Sequence, residues 1–485
     1  MKLHSRHLIL IPLFFIIILF YFWTPSNGLY SHHFVFEKNK APVSRHHEIA
    51  EAFLHKQVHL LVAPKDELLA LSDPYDPSLN DKFRLHDAVL YEGKYYHYFS
   101  PVVSILFDIP LRVITGRYFT DPLIGAILCS IGLIFNYLIL INLFSIFKIQ
   151  VTPAYKIFSL LALAFTSNIP FLLRRVDSYE VCIASAYCFL MAGIYLMISS
   201  LTSKYAMRLK LIIFGLLMGL AFASRPNLAV IIIIFYLFLT FYLLKKTSIK
   251  ISLELIFFSG IPLIFILICL AYYNYIRFNS ILEFGLSYQL AGIDGRNIPF
   301  FSIQRVPAGL FVYFFQTYSL DLIFPFFHVI YPLKPEGELS KIWFTEPVIG
   351  IFSMPIFWVL PFQILLFKRA YSIHKAPISI SMLFIGSSLT LILLSSGLMG
   401  VTMRYTVDFL PLLLIGFLFS QPIYMNLLYN KSSGGVKAGY IYFYILIAAS
   451  CVISFFLSLS GYMDSLKRLN PNTWNILKNF FTALI

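Results

Sequence analysis

Apolar positions in this 485-residue chain run together for long stretches instead of alternating with polar ones. Such runs cover residues 8–23, 122–147, 157–173, 181–200, 211–224, 228–244, 252–272, 348–367, 377–396, 407–427 and 439–460. Most are roughly 17–22 residues long, enough for a helix to cross the hydrocarbon core of a bilayer. The 211–224 run is the weakest because it is short. Only helices or closed barrels satisfy the backbone in lipid, and barrel strands alternate over about ten residues. The pattern therefore predicts an all-α polytopic bundle of eleven spans.

Composition agrees: 59% of residues are hydrophobic, 12% are charged and the mean hydropathy is +0.79. Lysine and arginine add an orientation, because basic residues accumulate in short cytoplasmic loops. With the N-terminus inside, the inside loops hold Lys148 and Lys156; Lys204, Arg208 and Lys210; Lys245, Lys246 and Lys250; Lys368, Arg369 and Lys375; and Lys431 and Lys437. Of the 23 acidic residues only Glu254 falls inside, so the polar chemistry and the C-terminus are expected on the outer face. The net charge of +14 is then a signature of topology, and nucleic acid is not an expected partner.

The first run follows Lys2 and Arg6 as a secretory signal would. Its apolar core is longer than a signal's, and "TPSNGLYS" after it is a poor cleavage site, so it reads as an uncleaved anchor. Cys129, Cys182, Cys188, Cys269 and Cys451 all lie in predicted spans, with no disulfide or zinc spacing. The sequon Asn430-Lys431-Ser432 sits in an inside loop, which fits a bacterial inner membrane better than a secretory pathway. Two outer loops, 24–120 and 274–346, carry apolar stretches too short to span, such as "PVVSILFDIPLRVITG". These stretches, and "NTWNILKNFFTALI" in the 461–485 tail, are expected to lie flat at the interface. No internal repeat is visible, and the chain reads as one membrane domain.

The first outer loop ends in "DAVLYEGKYYHYFSP", residues 87–101, preceded by "SRHHEIAEAFLHK" and "DPYDPSLNDKFRLHD". A small residue and Arg, an alternating helix, then D-x-x-x-Y-x-G-K-Y-Y and a Pro before an apolar run resembles the first periplasmic loop of bacterial GT-C glycosyltransferases. The likeness is to the protein O-mannosyltransferase and aminoarabinose transferase type. "GLAFASRPNLAV", "YNYIRFNSILEFGLSYQLAG" and "MRYTVDFLPLLL" are similar to later parts of that pattern. The adjacent acidic pair of the best-described members is missing here, and its nearest equivalents are the separated Glu48 and Glu51, then Asp87. The resemblance implies transfer of a sugar from a polyprenyl-phosphate carrier to a glycan, lipid or protein acceptor at the outer face.

Such a transfer needs a base at the acceptor, positive charge at the departing phosphate and a surface for a sugar ring. Asp87 is the first candidate for the base and Glu48 the second; either carboxylate also suits a solvated surface or a helix cap. Arg84, Lys94, Arg174, Arg175, Arg277 and Arg404 are candidates for phosphate, since guanidinium groups match phosphate oxygens. Lone arginines at span ends also serve as interfacial anchors. Arg404 stands out at the mouth of a span beside Tyr405 and Asp408, and the "RRVDSYE" loop adds Asp177. Arg225 in "ASRPN" reads as a simple turn. Tyr91, Tyr95, Tyr96, Tyr98 and His97 offer flat faces for a sugar or an isoprenoid chain, as interfacial aromatic belts also do. In "DPYDP", Asp73 and Asp76 suit either a divalent metal or a turn. The site is expected where the first loop, the 174–180 loop and Arg404 converge. A polysaccharide polymerase or ligase would carry its dominant loop late in the chain. A transporter or flippase would need ionisable residues deep in its spans.

Overall fold

The computed structural model describes residues 10–29, 44–202, 206–332, 344–429, 433–461 and 464–483. Lys2, Arg6, Leu8, Ile9, Lys204, Lys431 and the sequon lie outside these residues, as do 30–43 of the first predicted loop, 333–343 of the second and the last two residues of the tail.

The principal helices are α1 (Leu10–Ser26), α2 (Arg45–Leu54), α3 (Asp121–Ile146), α4 (Pro153–Phe165), α5 (Ile169–Arg174), α6 (Ser178–Thr202), α7 (Met207–Ser224) and α8 (Ala229–Lys246). They continue with α9 (Ile249–Phe278), α10 (Val306–Phe315), α11 (Leu360–Ile373), α12 (Lys375–Ser396), α13 (Leu410–Leu428), α14 (Ser433–Ser460) and α15 (Pro471–Thr482). Among the described residues nine helical segments are long and apolar enough to cross a membrane, and α1, α4 and Ile303–Phe315 are shorter apolar helices. The chain is a multi-pass all-α membrane protein.

Two predicted runs differ from the helices that form. The 157–173 run breaks into α4 and α5, because Asn168 takes a left-handed conformation (φ 62°) and Pro170 cannot donate to the helical ladder. The 348–367 run becomes helical late. Residues 346–350 stay extended beside 401–403, with Glu346 N on Val401 O at 3.0 Å and Met403 N on Pro347 O at 3.1 Å. Proline then opens both the Pro355–Val359 turn and α11.

Helix α13 is the centre of the bundle, buried at every position from Leu410 to Met425. Helix α9 lies at the edge and turns Phe257, Ile264, Phe265 and Ile268 outward, a surface suited to lipid. Apolar burial drives helix association only weakly in lipid, so close backbone approach matters. A Cβ on Gly215 of α7 would collide with the Ser259 carbonyl of α9.

The helix ends sort into two faces. On one, Arg174 at the end of α5 donates to the carbonyls of Thr24 and Ser458, and Ser44 before α2 donates to Asp121 at the start of α3. On the other, Arg208 of α7 pairs with Glu254 of α9, and Thr152 meets Tyr444 at 3.3 Å. Both long connections emerge on the first, which is called the loop face below.

There the first connection builds a small lobe. Strands β1 (Val89–Tyr91) and β2 (Lys94–Tyr96) pair antiparallel through a turn at Glu92 and Gly93, both at positive φ (47° and 71°), as a two-residue hairpin turn requires. Asp87 N on Leu290 O (2.9 Å) and Leu290 N on Ala88 O (2.8 Å) splice the second connection onto it. Leu60, Leu68, Ala88, Leu90, Tyr95 and Leu290 form its apolar centre. Two further strand pairs, β3 (Tyr318–Leu320) with β4 (Phe327–Val329) and β5 (Phe344–Thr345) with β6 (Gly400–Val401), belong to the second connection and its contact with the loop after α12. The tail helix α15 buries Trp474 against Phe324 and leaves Ile476 and Phe480 exposed.

Candidate functional site

Helix α2 begins at Ser44, whose Oγ accepts from His46 N at 3.2 Å while donating to both Asp121 oxygens at 2.8 Å. This cap sets the helix against the bundle. His46 and His47 point inward: His46 Nε2 lies 3.2 Å from Ser178 O, and His47 Nε2 lies 2.8 Å from Phe119 O. Burial pushes His46 down to about 4, which keeps its ring neutral. On the outward side Glu51 accepts from Tyr118 (2.6 Å) and Arg112 (3.1 Å), which makes it an anchor. Glu48, one turn earlier, touches His97 Nε2 through Oε2 alone, and its side chain is 27% exposed.

Asp87 occupies a left-handed position (φ 62°) just before the hairpin. Its Oδ1 accepts from Gln289 at 3.0 Å; its Oδ2 accepts from Tyr179 at 3.1 Å and lies 3.5 Å from Arg45. Arg45 in turn lies 3.6 Å from Asp177. Tyr179 also receives the hydroxyl of Tyr98.

From Tyr179 a column of alternating rings and guanidinium groups runs into the bundle. Arg404 stacks 4.7 Å from the Tyr179 ring and 5.9 Å from that of Tyr405, and Arg225 lies 4.9 Å from the Tyr405 ring. Carboxylates flank the column: Arg404 reaches Glu180 at 3.1 Å and Glu346 at 3.2 Å, and Arg225 reaches Asp408 at 2.6 Å. Asn227 adds a 3.0 Å bond to Asp408. Such stacking and forked pairing suit guanidinium far better than ammonium.

The structure thus brings Asp87, Asp177, Arg404 and Tyr405 into one network, with Glu48 on the same helix as Arg45. Arg175 lies half-buried beside Glu180. Arg277, buried at the end of α9, donates to His97 O at 2.7 Å and to Asn274 at 2.7 Å, while Tyr96 packs on the neighbouring Phe278. Four other candidates sit elsewhere. Arg174 is a structural pin between α1, α5 and α14, bonded to Thr24, Asn27 and Ser458 and stacked on Trp23. Arg84 is spent on Asn80 and Asp81, Tyr95 is lobe core, and Lys94 stands exposed on the hairpin. Gly93 faces open space and serves the turn. Asp73 pairs with Arg296 at 2.5 Å and Asp76 caps a short helix at Ser78, so "DPYDP" is built as a turn. Among the described residues no group of three His, Cys, Asp or Glu side chains is placed to hold a metal ion.

Sequence reading missed Arg45, Tyr179, Glu180, Glu346, Arg225 and Asn227. Arg225, read as a turn residue, is in fact one wall of the column. Its signals were a lone arginine between two spans and its place in "GLAFASRPNLAV", and its partner Asp408 is 183 positions away.

Beneath α2 lies Asp108, fully buried, with neither oxygen hydrogen-bonded to a described residue and His47 Nε2 at 3.8 Å. Burial first, and then the nearby charge of Asp121, pushes its carboxyl up to about 8. The folded protein therefore holds a proton that the unfolded chain releases near pH 4. Stability is fully present below that value and is lost as pH rises toward 8. Melting curves of the detergent-solubilised protein from pH 7 to 9, above the range in which His46 titrates in the unfolded chain, are expected to fall with pH, and Asp108→Asn to flatten that fall. Equal slopes in the two proteins would contradict this assignment.

Comparison with protein-family models, with curated proteins and with solved structures returns no match to this chain.

Proposed function

We propose that the chain is a bacterial inner-membrane glycosyltransferase that moves a sugar from a polyprenyl-phosphate carrier to an acceptor hydroxyl. The loop face is then the outer, periplasmic face, with eleven spans, the N-terminus inside and the C-terminus outside. The observation that carries this reading is the pairing on one face of α2 of a carboxylate with an open oxygen, Glu48, and a loosely held guanidinium, Arg45, beside the Tyr179–Arg404 column.

The chemistry needs a base oxygen that no neighbouring donor already occupies. Asp87, the stronger candidate from sequence, has both oxygens engaged, so Glu48 takes the base role and Asp87 organises Tyr179 and Arg45. Glu48 accepts the proton of the acceptor hydroxyl as the new sugar–oxygen bond forms. The bond from the sugar to phosphate breaks, and its electron pair leaves on the phosphate. Arg45 meets that charge: its contacts at 3.5 and 3.6 Å are longer than tight charge-assisted bonds of about 2.7–2.9 Å, so a phosphate competes for it easily. Arg404 fixes the platform below.

Reporter fusions after Lys148, Lys246, Lys375 and Lys437 are expected to read cytoplasm, and fusions near Asp81, Asp294 and Asp464 the outside. A cytoplasmic Asp464 would overturn the odd span number. Membranes containing the chain are expected to release free polyprenyl phosphate from a radiolabelled lipid-linked sugar extract, and membranes without it to leave the extract intact.

A further inference from the structure

We propose that His97 is a positioning residue that holds Glu48 in its proton-accepting geometry, and that Arg277 fixes His97 in turn. This rests on the glycosyltransferase reading above. The His97 side chain is 1% exposed and meets Glu48 Oε2 through Nε2. Its other ring nitrogen, Nδ1, is buried with no partner among the described residues. An Nδ1–H there would waste a buried donor, so a ring proton belongs on Nε2, and the imidazole donates to the carboxylate. Donation to Oε2 occupies one oxygen and leaves Oε1, which has no hydrogen bond among the described residues, as the acceptor.

What holds the imidazole is unusual for a loop residue. Its ring lies 6.0 Å from Phe99, edge-on. Its main-chain carbonyl accepts 2.7 Å from Arg277 Nη1, and that guanidinium is itself buried over the Tyr273 and Phe278 rings at 3.9 and 4.5 Å. No described carboxylate pairs with Arg277, so its fork is devoted to main-chain and amide oxygens of Tyr273, Asn274 and His97. A line of bonds therefore runs from the end of α9 through His97 to Glu48. It couples a lipid-facing helix to the orientation of the base.

The test is the polyprenyl phosphate release assay on full-length protein in membranes, read as rate and as apparent KM for the lipid-linked sugar extract. His97→Leu removes the donor, and the rate is expected to fall by about tenfold to a hundredfold, part of a full general-base contribution, at unchanged KM. An unchanged KM separates lost positioning of the base from lost binding of the donor. His97→Gln, which restores an N–H of similar reach, should recover most of the rate. If His97→Leu does not accumulate, His97→Asn, whose amide is too short, replaces it with the same expectation. A wild-type rate in the donor-less variant would overturn the proposal alone, as would a Gln variant no better than it. An inactive wild type would overturn the glycosyltransferase reading and the proposal with it.

Discussion

Glu48→Gln is expected to cut sugar transfer by about 10²- to 10⁴-fold, roughly 3–5 kcal/mol of barrier, with folding and donor binding retained. Glutamine keeps the size of the side chain and an oxygen to accept from His97, and loses only the capacity to take a proton. Asp87→Asn is the matched comparison. Its amide oxygen still accepts from Tyr179, but the nitrogen opposes Gln289 and the charge facing Arg45 is gone. A loss of about tenfold is expected there, from disturbed positioning rather than lost base catalysis. Transfer rates of the two variants, normalised to protein in the membrane, decide between them. If the asparagine variant is dead and the glutamine variant active, the base is Asp87. Should both stay active, the chain is not this kind of enzyme.

Arg404→Ala is expected to have the largest effect on stability. It leaves Glu180 and Glu346 buried without their shared cation, and removing one partner of a buried ion pair costs about 3–5 kcal/mol. The stack on Tyr179 is lost as well, and with it a support for the ring whose hydroxyl donates to Asp87. Arg404→Lys keeps the charge but places one ammonium where a planar fork spans two carboxylates, and an intermediate loss is expected. Melting temperature in detergent and abundance in membranes measure this, and donor binding should weaken in the same order. Neutralising both acids together with the arginine should recover part of the loss, since no unpaired carboxylate then remains. Wild-type stability in the alanine variant would mean that the two carboxylates find water instead.

The spans were legible because lipid imposes one demand along the whole chain, continuous apolar sequence, and residues 122–147 or 377–396 meet it without help from neighbours. Pro170 was a visible local signal for the break at Asn168, but the position of that break and the late start of α11 depend on distant partners: the Asn168 side chain bonds to Thr406, and residues 346–350 lie along 401–403. At the site, the meeting of the first loop, the 174–180 loop and Arg404 could be anticipated, since all three carry charge at the same ends of spans. Pairing could not. Arg174 and Arg175 are adjacent in sequence, yet Arg174 pins three helix ends while Arg175 lies beside Glu180, and nothing local to "RRVDSYE" separates them. The relative standing of Asp87 and Glu48 likewise turns on Gln289, Tyr179 and His97, which three separate segments supply.

In the proposed reaction this chain consumes a lipid-linked sugar at the loop face. Mass spectrometry of polyprenyl-phosphate sugars and surface glycans, in cells lacking the chain and in the same cells supplied with wild type or Glu48→Gln, tests it most directly. Without the chain one lipid-linked sugar is expected to accumulate and one glycan modification to disappear; wild type should reverse both changes and Glu48→Gln neither. Unchanged lipid and glycan profiles in the deletion, or full reversal by Glu48→Gln, would contradict it.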